Sequence, residues 1–256
     1  MTKKAKKAVN KKTKKTIIRV VILIIIIVII ICAINLAKWL KDNKKTSDML
    51  GDIIQAITVN DEAEDELDKY DVDFKKLKEA NEDTVAWFKI NNTKIEYPVV
   101  KANDNDYYLD KSFDKTINGA GWPFADYKNK FDGTDRNIVI YGHNRREGSM
   151  FGTLRDTQNE EWYNNEDNYK IPFITETEKA IYQVFSVYTI EVEDYYIKTQ
   201  FSKKDYDNFI QKMKQRSVKD FGIEVSGEDQ ILTLSTCAGS NYRVVLHAKK
   251  IESKSK

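Results

Sequence analysis

Cysteine is nearly absent from this chain, with two in 256 residues. Cys32 lies inside an unbroken apolar run, so Cys237 has no aqueous partner for a disulfide. A bridge-stapled scaffold is thereby excluded, and one substantial core must hold the fold. Histidine is equally scarce: His143 and His247 are the only two. Two distant histidines among scattered acids give no metal-ligand spacing, and no glycine-rich phosphate loop occurs, so neither metal nor cofactor is expected. Internal repeats are missing too, as is any low-complexity tract beyond the N-terminal lysines. With disulfide, metal and phosphate chemistry removed, Cys237 is either an inert small hydrophobe or a working thiol.

Acid is missing from the first 16 residues, which carry eight lysines. Residues 20–37 then form an apolar stretch of 18 with Asn35 as its one polar member. At about 1.5 Å per residue, such a helix just crosses a hydrocarbon core of roughly 30 Å. A buried soluble helix seldom needs isoleucine or valine at nearly every position. A cleaved signal peptide would have a shorter apolar region, typically about 7–15 residues, and a small-residue cleavage site. Here the run passes into Asn35-Leu36-Ala37-Lys38-Trp39-Leu40 without one, so an uncleaved anchor is expected. The lysine flank orients it with the N-terminus cytoplasmic and residues 39–256 outside the plasma membrane.

Charge splits along that line. The whole chain is +2, but setting aside the eight lysines, Arg19 and Lys38 leaves 32 basic residues against 40 acidic. The exterior part, at −8, lacks the concentrated basic surface that nucleic acid requires, so no nucleic-acid partner is expected. The basic tail suits anionic lipid, making the membrane itself a partner.

The expected organisation is a basic tail (1–16), a transmembrane signal anchor (17–38), a helical juxtamembrane region (39–83), a main folded domain (84–252) and a short tail (253–256). Met49, Leu50, Ile53, Ile54 and Ile57 fall at helical spacing and predict a helix near 47–58. Residues 61–68 are acidic and read as a solvated connector. Phe74, Leu77 and Ala80 predict a second short helix packed on that main domain.

From Val85 the texture turns to short β-rich runs. Trp87-Phe88-Lys89-Ile90, an Asn91-Asn92 turn and Ile95-Glu96-Tyr97-Pro98-Val99-Val100 predict paired strands. Further strands are expected at 137–141, 171–174, 180–188, 231–236 and 242–251. One helix interrupts them at about 203–216, opened by Ser202 with Asp205 three residues on, a capping-box variant. Many short strands with one inserted helix predict a mainly β fold, a closed antiparallel barrel with helical decorations.

A thiol attacks a carbonyl only as thiolate, so a catalytic cysteine wants a histidine and a donor for the developing oxyanion. His143 follows a predicted buried strand in Tyr141-Gly142-His143-Asn144, a loop at a rigid strand end. His247 lies inside a strand, where alternation puts it on one face with Arg243 and Val245. That placement is the commoner one for a structural residue, so His143 is the candidate base. Cys237 ends its strand, and the turn Ala238-Gly239-Ser240-Asn241 returns Arg243 beside it. A permanently charged arginine there can donate to an oxyanion; its bland alternative is a surface ion pair with one of 40 acids.

Thr233-Leu234-Ser235-Thr236-Cys237 followed by Arg243, with Tyr141-Gly142-His143-Asn144 upstream, resembles the sortases, and the Leu-Ser-Thr-Cys form resembles class B. The resemblance spans roughly residues 72–252 and includes Asn105-Asp106-Tyr107-Tyr108-Leu109 and the 203–216 helix. It implies an eight-stranded barrel and a cysteine transpeptidase of the Gram-positive cell surface. Such an enzyme cuts a C-terminal sorting signal on surface proteins and joins the new carboxyl end to a peptidoglycan or pilin amine. By matching position it implies Cys237 as nucleophile, His143 as acid/base and Arg243 as oxyanion donor. Ser235, Tyr141, Asn105, Leu109, Tyr196 and Ile197 would line the substrate groove. The five residues between Cys237 and Arg243 make a short segment, a departure that bears on how that loop shapes substrate choice. Two other readings differ in class: a hydrolytic cysteine peptidase, and a membrane-tethered binding module with an inert thiol.

Overall fold

No glycine or proline interrupts the chain before Gly51, and it forms one long helix, α1 (Lys3–Ile54). The computed structural model describes the backbone of residues 3–256, and side chains from Lys11 onward apart from Lys203. The expectation of lysine–lipid contact for Lys3, Lys4, Lys6 and Lys7 therefore concerns side chains outside the described residues. The chain divides into two compact units, Met1–Lys45 and Thr46–Lys256. In the first, the side chains between Ile17 and Leu36 are exposed on all sides. By length and composition this helix is a candidate membrane span.

The second unit begins with the end of α1. The helix expected near 47–58 is this continuation and stops at Ile54. Ile57 instead enters β1 (Ile57–Val59), which pairs antiparallel with β2 (Tyr70–Val72). The acidic connector between them is less solvated than expected, because Leu67 is buried in a 3-10 turn capped by Asp65. α2 (Phe74–Ala80) is opened by Asp73, whose carboxylate accepts from Lys76 N–H at 3.0 Å. Phe74 and Leu77 join the main core.

The remaining strands close on themselves. They are β3 (Thr84–Lys89), β4 (Glu96–Val100), β5 (Phe124–Ala125), β6 (Asn137–Tyr141), β7 (Lys170–Thr175), β8 (Glu178–Glu191), β9 (Ile231–Ala238) and β10 (Tyr242–Ser255). Between β6 and β7 lies the short α3 (Glu160–Tyr163), and between β8 and β9 lies α4 (Lys203–Arg216). The barrel order is β10-β8-β7-β3-β4-β5-β6-β9. Eight strands in a closed, mainly β barrel match the expected fold class. The expectation of a wholly antiparallel barrel does not hold: β4–β5 and β6–β9 run parallel. Parallel neighbours need a long crossover, and the one joining β6 to β9 contains β7, β8 and α4.

Alternation along the last two strands sorts residues between two cores. Leu232, Leu234, Val244, Leu246 and Ala248 point into the barrel. Ile231 and Val245 point outward and are covered by Tyr206, Phe209, Ile210 and Met213 of α4. Ser202 caps that helix by accepting from Asp205 N–H at 3.3 Å while donating to its carboxylate at 2.7 Å. Burying each large apolar side chain contributes roughly 1.5–3 kcal/mol, enough to hold α4 on a face that ends in polar Cys237 and Arg243.

Candidate active site

Strand pairing alone brings two of the chemical groups together. In the β9–β10 hairpin Cys237 stands directly opposite Arg243. Opposed residues share a face with Cβ atoms about 5 Å apart. The hairpin is tight, with Ala238 paired to Tyr242 and Gly239 at φ +75° in the connecting turn. The short Cys-to-Arg segment is therefore a closed turn that leaves Cys237 exposed.

The third group arrives by the parallel pairing. Tyr141 of β6 lies opposite Ser235 of β9, and Gly142 N–H donates to Ser235 O at 3.3 Å. Thr236 Oγ1 donates to Gly142 O at 2.7 Å, and Asn144 Nδ2 donates to Cys237 O at 2.6 Å. These bonds flank His143 on both sides and tie its loop to the cysteine strand. His143 itself is half-buried, with Nε2 2.6 Å from Leu109 O. A carbonyl only accepts, so Nε2 carries a proton and Nδ1 is the nitrogen left for exchange.

Two glycines make room for this loop. A Cβ on Gly142 would meet the Phe151 ring at 2.7 Å. Gly121, at φ +62°, would meet His143 Cδ2 and Tyr108 O at 2.8 Å and Leu109 O at 2.9 Å. The imidazole and the carbonyl that orients it thus converge on a position only glycine fits.

All nine residues named from the sequence line one cleft of about 510 Å³: Cys237, His143, Arg243, Ser235, Tyr141, Asn105, Leu109, Tyr196 and Ile197. Behind its floor, buried Asp126 accepts from Tyr141 O–H at 2.8 Å and Asn105 Nδ2 at 2.9 Å. Burial and that carboxylate push the Tyr141 phenol far up, so it remains a proton donor. Tyr196 O–H lies 3.1 Å from Ser235 Oγ, and burial raises its pKa as well. Sequence reasoning missed Asp126, Asn144 and Gly121. Only Asn144 carried a signal, by standing next to His143.

His247 is fully buried beneath α4 and bonds to Tyr188 and Thr233. Burial, and then Arg216, push its pKa down to about 3. It lines no part of the cleft. A thiol, a half-buried imidazole and a permanently charged guanidinium lining one cleft are the components of acyl transfer through a thioester.

Comparison with known proteins agrees. A sortase domain model matches residues 88–251. Sortase B of Listeria monocytogenes is 36% identical over 208 residues, covering 77% of this chain and 80% of that one. Sortase B of Staphylococcus aureus is 33% identical over 184 residues, covering 70% and 75%. The crystal structure of sortase B from B. anthracis superposes with a TM-score of 0.71 at 32% identity, covering 85% of this chain and 99% of that one. By sequence, fold and cleft together, this chain belongs to the sortase family, in its class B, and is a cysteine transpeptidase.

Proposed function

We propose that the enzyme works at the outer face of the plasma membrane, anchored by α1 with its N-terminus cytoplasmic. There it cleaves a C-terminal sorting signal of surface proteins and transfers the acyl group to a peptidoglycan or pilin amine. One observation carries the reading: Cys237 and Arg243 sit opposite one another on a hairpin, and hydrogen bonds on both sides of His143 stitch its loop to that strand.

In the first half-reaction the Cys237 thiolate attacks the scissile carbonyl carbon, and Arg243 donates to the oxygen as it gains charge. The C–N bond breaks, His143 gives its proton to the departing nitrogen, and a thioester remains. In the second, an amine attacks the thioester and surrenders a proton to His143. The thiolate leaves, and a new amide is formed. Tyr141, Asn105, Leu109, Ser235, Tyr196 and Ile197 hold the signal peptide in the cleft. Tethering enzyme and membrane-held substrate to one surface raises their effective concentration.

The test is a mass-spectrometric search for an acyl adduct on Cys237, using a library of sorting pentapeptides with and without an added amine. The expected result is an adduct on the native enzyme, none on Cys237→Ala, and ligated product when amine is present. An adduct surviving on Cys237→Ala removes the nucleophile assignment. Release to water alone, whatever amine is offered, makes the enzyme a hydrolase.

A further inference from the structure

One group of buried polar side chains that the proposed chemistry leaves unused, Tyr188, Thr233 and Asn137, converges on His247. It is 0% exposed, and its ring stacks 5.8 Å from Phe185 beneath α4. Nδ1 is 2.8 Å from Thr233 Oγ1, and Nε2 is 2.8 Å from the Tyr188 hydroxyl. Counting protons gives each bond a direction. Thr233 Oγ1 lies 2.6 Å from Asn137 Oδ1, which can only accept, so the hydroxyl proton goes there. Thr233 Oγ1 then accepts from His247 Nδ1–H, and Nε2 of the neutral ring accepts from Tyr188 O–H. The Asn137 amide is oriented by two carbonyls at its nitrogen: Lys198 O at 3.0 Å and Tyr196 O at 3.4 Å.

Both ends of this chain of bonds reach the same segment. Beyond Tyr188, Arg216 lies 5.8 Å over the phenol ring and pairs with Glu193 at 2.5 Å. Beyond Asn137 stands Lys198 O. Between Glu193 and Lys198 lie Asp194, Tyr196 and Ile197, which form one wall of the cleft. That wall belongs to the irregular connection from β8 to α4, with no strand ladder or helix of its own. Its shape depends on what holds its backbone carbonyls and charges.

We propose that His247 is a positioning residue for substrate binding. It is the central link of a buried chain, Tyr188–His247–Thr233–Asn137, that pins the cleft wall at Glu193 and Lys198. The consequence for peptide affinity rests on the reading of the cleft given above; the pinning does not. Cutting the chain loosens the wall and leaves the thiol on its hairpin undisturbed.

The experiment uses the full-length chain in detergent micelles and compares Thr233→Val with Thr233→Ser. Valine keeps the shape and loses the hydroxyl, whereas serine keeps the hydroxyl. Three readouts are taken: amide hydrogen exchange over residues 192–198, kcat and KM for the pentapeptide that acylates the native enzyme, and the Cys237 alkylation rate. Thr233→Val is expected to speed exchange in the segment and raise KM, each about tenfold, with kcat within about twofold and alkylation unchanged. Thr233→Ser returns both to native values. Native exchange and KM in Thr233→Val overturn the proposal, as does an equal loss that serine fails to rescue. Should Thr233→Val not fold, Tyr188→Phe cuts the chain on the other side of His247 and must show the same split. If the native enzyme turns over no peptide, the functional reading has failed, and exchange alone still decides the pinning.

Discussion

The rim of the barrel and the wall beneath α4 each hold one histidine, and they treat its proton in opposite ways. On the rim, His143 is half-buried, and one nitrogen is fixed by Leu109 O. Beneath α4, His247 has no solvent contact, and both nitrogens are engaged. Closeness in sequence would favour His247, which lies ten residues after the cysteine, over the proposed acid/base His143, which lies 94 before it. What separates them is whether the charged ring can be solvated. Desolvation alone disfavours the imidazolium by several pK units at a fully buried site, and an acid/base catalyst must visit both forms.

Substitution at the two positions gives the largest contrast. His143→Ala is expected to lower kcat/KM about 10³-fold while shifting unfolding free energy by less than about 0.5 kcal/mol. His247→Ala leaves the Tyr188 and Thr233 hydroxyls buried beside a cavity and is expected to cost about 2–4 kcal/mol of stability. Peptide turnover and urea midpoints measured on both variants check the pair, and the reverse pattern would dissolve the comparison.

A second variant sharpens the rim side without touching the histidine. Gly121→Ala drives a methyl against His143 Cδ2 and the Leu109 carbonyl at a backbone angle unsuited to alanine. Displacing the imidazole in this way should reduce kcat by about 10- to 100-fold. The strain itself costs on the order of 1 kcal/mol. Steady-state kinetics beside a thermal melt separates the two effects, and native kcat with a lowered melt would make Gly121 merely structural.

The wall side is tested last, through acid, where each step in pH changes stability only a little. His247 is neutral when folded, with its pKa pushed down to about 3 by burial and then Arg216. In the unfolded chain it titrates near 6.5. Between those values the unfolded state binds the extra proton, so this contribution is complete above pH 6.5 and is lost as pH falls toward 3. The slope amounts to at most about 1.4 kcal/mol per pH unit for one proton. His247→Gln should flatten the pH dependence of stability across that window and leave the slope unchanged above it. Equal slopes in both proteins would mean that the ring is charged in the fold.

Much of the fold is legible in the chain's own pattern. β-Branched runs announce the longer strands, and the Ser202 cap with its apolar spacing announces α4. β5, only two residues long, carries no periodicity to read. The parallel neighbours are invisible for a different reason: local pattern fixes which face is apolar, not which distant strand lies alongside. At the site, Cys237 and Arg243 can be placed by counting along a hairpin, whereas His143 needs the β6–β9 pairing. The polar look of the face carrying Arg243 and His247 conceals that α4 covers its middle and spares its end. Gly121 meets His143 only through the folded chain, so no spacing could flag it.

The parallel β6–β9 pairing also carries a temporal consequence. Loop-closure entropy must be met before non-local contacts return anything, and chains rich in such contacts fold slowly. β6 ends at Tyr141 and β9 begins at Ile231, so the strand bearing the thiol is laid beside the histidine loop only after β7, β8 and α4 exist. A chain emerging N-terminus first is thus chemically silent for most of its synthesis. The proposed nucleophile meets the proposed proton carrier among the last pairings of assembly, as β9 and β10 close the barrel.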